Sequence, residues 1–197
     1  MEKIERANVQ LPRMRDDLPA LRQLALLVRP GRLLVEVGSF AGESTRVFLD
    51  AGLHVHAIDP WDNAARDRLH EGAHNFNPTY RWQFDMSEAE RQFDELLPLF
   101  PDRLTKHKGY DWQFADDYAP TSLDAVYIDA VHTYADTLAA IRRWQPKVKP
   151  GGILCGHDYA RYFPGVMKAV DEALGPPHRT FADTSWMVET PPLVVGK

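Results

Sequence analysis

The segment VEVGSFAGES, residues 35–44, decides the fold of this chain. Together with Leu33-Leu34 it reads as a short apolar strand that runs into a turn with two glycines. Gly38 and Gly42 permit a tight turn and a close approach of the backbone to a ligand. Their spacing differs from the G-x-G-x-x-G pattern that cradles a pyrophosphate. The acid Glu36 suits a ligand with an ammonium or sulfonium charge and would repel a pyrophosphate.

Outward from this segment, strands and helices alternate along the chain. Predicted strands cover residues 33–37, 54–59, 104–108, 123–129 and 153–156, and residues 180–182 and 186–189 form a closing hairpin. Predicted helices cover residues 18–28, 44–49, 87–97, 133–148 and 166–174. The first of these helices is expected to be capped by Asp17, with Pro19 in its first turn.

This alternation predicts an α/β fold of the Rossmann-like, doubly wound type. Its mostly parallel, seven-stranded sheet would end in the C-terminal antiparallel hairpin. We expect a single domain over residues 1–197, with a helical extension at residues 1–31 and a lid or insertion at residues 60–101.

The next two loops continue the predicted ligand site. Asp59 ends the second strand about twenty residues after the glycine turn, where an acid can accept hydrogen bonds from ribose hydroxyls. A turn or capping role for Asp59 is the alternative. After the third strand, Tyr110 or Trp112 could stack on an adenine ring, and Asp111 could accept from its exocyclic amine. These aromatic side chains could equally cover the edge of the sheet.

Composition narrows the class of partner. The chain has 197 residues, a formal net charge of -5 and 44% hydrophobic residues. An acidic total gives no basic footprint for nucleic acid, so a small-molecule partner is expected. The only cysteine, Cys155, excludes an intramolecular disulfide, and cytoplasmic residence is the default expectation. No apolar run is long enough to span a bilayer, so no membrane partner is expected.

Four segments in order give the chain a resemblance to a known family. They are VEVGSFAGEST (35–45), VHAIDPW (55–61), LDAVYIDAVHTY (123–134) and WQPKVKPGGILCGHDY (144–159). The chain resembles class I S-adenosylmethionine-dependent methyltransferases, and most of all the small-molecule O-methyltransferases that include the macrocin-type sugar enzymes. The resemblance implies S-adenosylmethionine as cofactor and O-methylation of a hydroxyl as the activity. The predicted cofactor contacts are Glu36, Gly38, Ser39, Phe40, Gly42, Ser44, Asp59, Pro60, Trp61, Gly109, Tyr110, Asp111, Trp112 and Asp129.

A metal site is expected beside the cofactor. Asp129 ends the fourth strand and His157-Asp158 follow the fifth, so the three side chains should face one crevice. Such a set can bind Mg²⁺ or, given the imidazole, Mn²⁺, and a coordinated hydroxyl becomes a better nucleophile. The resemblance supports this site, because metal-dependent relatives carry an acid matching Asp129 and an acidic or amide pair matching residues 157–158. A metal-free pocket, in which Asp158 and Tyr159 position the substrate, is the alternative.

The catalytic base departs from the family pattern. Many relatives have a second acid where this chain has Val131, which can be neither ligand nor base. His132 occupies the position at which catechol-type enzymes hold a lysine proposed as base. Because histidine titrates near neutral pH, we predict His132 as the general base, and Asp129 is the second predicted catalytic residue. A helix-capping role for His132 is the alternative.

The acceptor and the assembly are less constrained. Residues 61–84, with Trp61, His74, Phe76, Tyr80 and Trp82, form a candidate acceptor wall, and residues 161–163 could line the opposite side. A homo-oligomer is compatible with the resemblance. Three other functions remain open: a cofactor-binding protein without catalysis, an N-methyltransferase, and a nicotinamide-dependent dehydrogenase, against which the missing G-x-G-x-x-G counts.

Overall fold

The computed structural model of the protein describes residues 14–68 and 85–191. Seven strands form one sheet in the order β3-β2-β1-β4-β5-β7-β6. The strands are β1 (Leu33–Val37), β2 (His54–Asp59), β3 (Leu104–Lys108), β4 (Leu123–Ile128), β5 (Val148–Gly156), β6 (Arg179–Thr180) and β7 (Trp186–Glu189). The helices are α1 (Met14–Val28), α2 (Glu43–Asp50), α3 (Asn63–Arg68), α4 (Met86–Asp94), α5 (Tyr134–Trp144) and α6 (Pro164–Leu174). The predicted Rossmann-like class is confirmed, and each predicted strand is present, although the bounds of β4, β5 and β6 differ from those predicted.

The five strands β1 to β5 are parallel, and their order reverses beside β1. β1 pairs with β2 on one side and with β4 on the other, so that Val37 lies opposite both Ile58 and Ile128. β4 pairs in turn with β5, which brings Ile128 opposite Gly156. The carboxyl ends of four strands therefore meet at one edge, next to the switch in strand order where α/β proteins bind ligands.

Alternation along β1 explains the two helical layers. Side chains on a strand point to opposite faces in turn. Leu34 accordingly packs in one core with Leu24 of α1 and Phe48 of α2. Val35 packs in the other core with Ile141 of α5 and Val170 of α6. Both faces of the central strands are buried, which is why they read as nearly continuous apolar runs.

The C-terminal hairpin completes the sheet. β7 runs antiparallel to β5 and is paired on its other side with β6. Trp186 is fully buried, and its Nε1 donates to the carbonyl of His157, 3.2 Å away. A Cβ on Gly156 would lie 2.8 Å from the Trp186 ring, so only glycine allows this contact. The hairpin thereby supports the loop that follows β5.

Some predicted boundaries are wrong. Helix α1 begins at Met14 with Pro19 inside it, so Asp17 is not its cap. The helix predicted over residues 133–148 ends at Trp144, followed by a 3₁₀ turn over Gln145–Lys147. Pro146 in that turn disfavours a continuing α-helix, because proline has no backbone N–H to donate to a helical hydrogen bond. β5 begins at Val148, earlier than predicted.

The predicted lid region is only partly described. It contains α3, α4 and a 3₁₀ turn over Leu97–Leu99, whereas His74, Phe76, Tyr80 and Trp82 lie outside the described residues. Within the described ranges, no helix combines the length and apolar character needed to cross a bilayer.

Candidate functional site

A cavity of about 380 Å³ opens at the carboxyl ends of the parallel strands. Most of the predicted site residues line it, from both the cofactor and the acceptor sets. These are Gly38, Ser39, Phe40, Ser44, Asp59, Pro60, Gly109, Tyr110, Asp111, Trp112, Asp129, His132, His157 and Asp158. Three predicted contacts, Glu36, Gly42 and Trp61, are not among the lining residues.

The glycine turn is pressed against the end of β4. Gly38 has φ of +90°, and a Cβ there would lie 1.9 Å from the carbonyl oxygen of Asp129. The Asp129 N–H in turn donates to the Val37 carbonyl at 2.8 Å. A side chain at position 38 would therefore separate the two loops that form the floor of the cavity.

Asp59 holds the turn in shape through backbone hydrogen bonds. Its Oδ2 accepts from the N–H groups of Ser39 and Phe40 at 3.1 and 3.0 Å, and its Oδ1 accepts from Trp61 N–H at 2.7 Å. Burial raises the pKa of Asp59 to about 6, although these donors oppose the shift. The carboxylate faces the cavity and also holds the loop in shape. Asp59 therefore does have the structural role in the turn that was given as the alternative.

Trp61 ties the same two loops together. Its Nε1 donates to the Phe40 carbonyl at 2.7 Å, and its ring packs on Phe93 with centroids 4.9 Å apart. Phe40 and Trp61 both have φ of +45°, in the left-handed region that non-glycine residues rarely adopt. Strained backbone of this kind persists where the surrounding structure enforces it, often at ligand sites.

Glu36 lies beneath the cavity. It is fully buried and accepts hydrogen bonds from the hydroxyls of Ser44 and Thr45 in the first turn of α2. Burial raises its pKa to about 7, despite the hydroxyl donors that oppose the shift. Gly42 lies directly before α2 and has φ of +89°. A Cβ at this position would contact the Leu96 side chain and would not point into the cavity. Glu36 and Gly42 therefore shape the turn from behind.

The loop after β3 lies on the cavity wall. Asp111 Oδ2 accepts from Arg143 at 2.6 Å and from Trp144 Nε1 at 2.9 Å, which fixes the carboxylate against α5. The rings of Tyr110 and Trp112 stack on each other, with centroids 4.3 Å apart and planes 12° apart. The Tyr110 hydroxyl donates to Asp62 at 2.9 Å. Both aromatic residues line the cavity, and Trp112 is half exposed.

Asp129, His132 and Asp158 meet on the opposite side. His132 Nε2 lies 2.7 Å from Asp158 Oδ2 and 3.7 Å from Asp129 Oδ1. One ligand atom from each of the three lies within 4.8 Å of the others, a spacing that suits a metal ion. His157 Nδ1 instead contacts the other oxygen of Asp158, at 3.2 Å. The set of three clustered ligand atoms thus includes His132, where the sequence predicted His157.

The charge of His132 differs from the expectation for a base. Burial alone would lower the pKa of His132, but the hydrogen bonds and charges of Asp129 and Asp158 outweigh it and raise the pKa to about 10. Burial would raise the pKa of Asp158, yet His132 and His157 lower it instead. In this arrangement His132 is an imidazolium at neutral pH and has no lone pair with which to accept a proton.

Cationic and polar residues that the sequence did not single out also line the cavity. Arg66 and Arg68 of α3 reach it, and Arg68 pairs with Asp136 of α5 at 2.8 Å. Tyr127 and Asp183 complete the acceptor side. Asp183 lies in the turn between β6 and β7, where an aspartate is so common that its position carries no sequence signal.

The residues after β5 divide between two roles. Phe163 lines the cavity, and its ring packs on His132 with centroids 4.4 Å apart. Tyr162 is exposed, and the Tyr159 hydroxyl donates to Asp171 of α6 at 2.7 Å. Tyr159 is therefore used within the fold and not to position a substrate.

Comparison with known families shows the family to which this chain belongs. A family model described as a methyltransferase domain, Methyltransf_24, matches residues 35–159, which are more than half of the 197 residues. The chain belongs to this methyltransferase family. The matched range includes the glycine turn, Asp59, Asp129 and Asp158. The enzyme is therefore an S-adenosylmethionine-dependent methyltransferase, which confirms the resemblance seen in its sequence.

Solved structures share the fold of this methyltransferase. The O-methyltransferase NovP has a TM-score of 0.57 at 19% identity, covering 91% of this chain and 79% of its own. A Corynebacterium glutamicum protein has a TM-score of 0.58 at 14% identity, covering 97% and 92%. Aeropyrum pernix fibrillarin, solved with natively bound S-adenosyl-L-methionine, has a TM-score of 0.51 at 11% identity, covering 85% and 71%. No curated protein matches the methyltransferase.

Proposed function

We propose that this methyltransferase transfers the methyl group of S-adenosylmethionine to a hydroxyl of a small molecule, assisted by a divalent cation. One observation carries the proposal. A single cavity joins the predicted cofactor loops to the Asp129–His132–Asp158 cluster at one edge of the sheet. Methyl transfer needs the donor and the nucleophile to be aligned in such a shared site.

The residues on the cofactor side fit a nucleoside. Gly38 has no side chain at the bottom of the cavity, and the buried Ser39 follows it in the cavity lining. Asp59 retains lone pairs that can accept hydrogen bonds from ribose hydroxyls. Arg143 binds Asp111 through Oδ2, so Oδ1 could accept from an adenine amine. When bound, S-adenosylmethionine supplies an activated methyl carbon on its sulfonium.

The residues on the acceptor side fit a divalent cation. Asp129 and Asp158 offer carboxylate oxygens, and His132 offers Nε2 once its proton is displaced. A mixed set of nitrogen and oxygen ligands suits Mn²⁺ better than Mg²⁺. A bound cation would acidify and orient an acceptor hydroxyl. Asp158 has φ of +61°, so its carboxylate is held in place by a strained backbone.

The test begins with cofactor binding. Calorimetry with S-adenosylhomocysteine should show saturable binding to the wild type and an affinity at least about tenfold weaker for Asp59→Ala. Asp50→Asn, a matched change on the outer face of α2, should bind like the wild type. An absence of saturable binding to the wild type would refute the assignment of this cavity.

Turnover is then measured with tritiated S-adenosylmethionine on a panel of phenols, sugars and hydroxy acids, with and without Mg²⁺ or Mn²⁺. We expect methylation of at least one hydroxyl compound and a loss of rate on chelation. Turnover of amines alone would replace the proposal with N-methylation. Cofactor binding without any turnover would favour a non-catalytic binding protein.

A further inference from the structure

Asp183 is a buried carboxylate that the fold uses only in part. Its side chain lines the cavity, and the residue is 5% exposed. Oδ1 accepts the N–H of Ser185 at 2.9 Å, whereas Oδ2 has no hydrogen-bond partner among the described residues. A buried polar atom without a partner is costly, and such atoms in native proteins call for a specific reason. A ligand that donates a hydrogen bond would supply one.

The turn that carries Asp183 is rigid and belongs to the acceptor side. Thr184 N–H donates to the Phe181 carbonyl at 3.0 Å, and Phe181 N–H donates to the Ser185 carbonyl at 2.9 Å. Tyr159 N–H donates to the Thr184 carbonyl at 3.0 Å, which fastens the turn to the loop that holds Asp158. The turn therefore holds the carboxylate in the lining of the cavity that also contains the candidate metal cluster.

Tyr127 links Asp183 to the rest of the acceptor side. Its buried side chain lines the same cavity. Asp129 follows Tyr127 by two residues, just after the end of β4, and lines that cavity too. Tyr127, Asp129 and Asp183 therefore belong to the lining of one cavity.

The other candidates for a proton acceptor on this side contact one another or face solvent. Val131 stands where relatives carry an acid, and His132 Nε2 lies 2.7 Å from Asp158 Oδ2. Both oxygens of Asp158 face imidazole nitrogens, at 2.7 and 3.2 Å. Asp129 Oδ1 lies 3.7 Å from His132 Nε2, and the Asp129 side chain is 30% exposed, so water can satisfy it. Asp183 Oδ2 is instead buried and has no hydrogen-bond partner among the described residues.

We propose that Asp183 binds the reacting hydroxyl of the methyl acceptor and takes its proton. As the acceptor oxygen forms its bond to the methyl carbon, the carbon–sulfur bond breaks and its electron pair goes to sulfur, which becomes a neutral thioether. The hydroxyl proton passes to Asp183 Oδ2, giving a methyl ether and a neutral carboxylic acid. This step rests on the proposed function, and it narrows the acceptor to compounds that place a hydroxyl against this turn.

The first test needs no acceptor. A carboxylate kept for a ligand contributes little to the fold, so Asp183→Asn, which retains an acceptor for Ser185 N–H, should unfold in urea at or above the midpoint of the wild type. Asp116→Asn, a surface change, is the control and should leave the midpoint unchanged. A clear fall in the midpoint of Asp183→Asn alone would show a structural role and overturn the proposal.

The second test uses the best hydroxyl acceptor of the panel described above. Asp183→Asn should keep its affinity for S-adenosylhomocysteine within about twofold and lose about 100-fold or more in kcat, the usual range for a lost base. Its residual rate should rise about tenfold per pH unit, because solution must then remove the proton. An unchanged kcat and pH profile would overturn the proposal. Failure of the wild type to bind S-adenosylhomocysteine would instead refute the proposed function, which separates the two.

Discussion

His132 Nε2 lies 2.7 Å from Asp158 Oδ2 and 3.7 Å from Asp129 Oδ1, so one ring serves two carboxylates. The two acids come from the ends of different strands, β4 and β5. Without a positive group between them, they would repel each other across the cavity. The positive charge of the His132 imidazolium therefore lies at the proposed cation site. When no cation is bound, this charge offsets the repulsion between the two carboxylates.

Asp158→Asn should destabilise the protein by about 3 kcal/mol, because it leaves the buried imidazolium of His132 without its nearest counter-charge. Urea unfolding at neutral pH, in the absence of divalent cations, measures the change. Arg91→Ala is the control, because it removes an exposed ion pair with Glu88 and should cost less than about 1 kcal/mol. Equal costs for the two variants would contradict the charged state assigned to His132.

Gly38→Ala should cost at least about 3 kcal/mol or prevent folding, because its Cβ would lie 1.9 Å from the Asp129 carbonyl oxygen. Gly151→Ala is a matched control. Gly151 also has a positive φ, +74°, but a Cβ there meets nothing within 4 Å. That variant should lose only about 1–2 kcal/mol for the left-handed backbone. Similar urea midpoints for the two variants would show that the two loops are not pressed together.

Glu36→Gln should change how stability depends on pH. Burial raises the pKa of Glu36 in the folded protein from its ordinary value of 4.5 to about 7. The folded state therefore binds more protons than the unfolded state between about pH 4.5 and 7, and stability falls as pH rises through that window. A shift of this size corresponds to about 3 kcal/mol.

Urea unfolding gives the free energy of unfolding at pH 5 and at pH 8. The difference between these two values should be smaller in Glu36→Gln than in the wild type, by an amount of this order. The raised pKa values of Asp59, about 6, and of His132, about 10, leave a residual slope of the same sign. Glu95→Gln, on an exposed side chain, should keep the slope of the wild type. An unaltered slope in Glu36→Gln would mean that the carboxylate is not desolvated as described.

Cys155 should be silent toward thiol reagents in the folded protein. Its side chain is fully buried on β5, its Sγ contacts the Val126 carbonyl, and burial raises the pKa of the thiol. Labelling requires the thiolate and access, so it should proceed about 1,000-fold or more slowly than in guanidinium. Labelling within seconds in native buffer, with circular dichroism unchanged, would contradict the burial of β5.

The sequence predicts the sheet well because its strands are buried on both faces. Leu33–Val37 and Leu123–Ile128 are apolar runs with little choice of partner, and their confirmed positions bring Asp129 and Asp158 to one edge. The start of α1 was harder to predict, because Asp17-Leu18-Pro19 has the composition of a cap although the helix begins at Met14.

Side-chain direction explains most of the remaining differences at the site. His157 directly precedes Asp158, and His132 follows Asp129 by three residues. Nothing in this spacing shows that His132 reaches both Asp129 and Asp158. Trp61 is close in sequence to residues that line the cavity, but its own ring packs on Phe93. Asp183 comes from a turn 25 residues after Asp158, and only the pairing of β7 with β5 brings it to the site.

The position of β7 has a consequence for biosynthesis. A chain that has been made only as far as Gly156 carries β5 as an open sheet edge, since its partner is about 30 residues further along. Unpaired strand edges recruit other chains, so ribosome-bound or C-terminally clipped forms should aggregate. A shielding chaperone would matter most in the seconds before the last strand emerges.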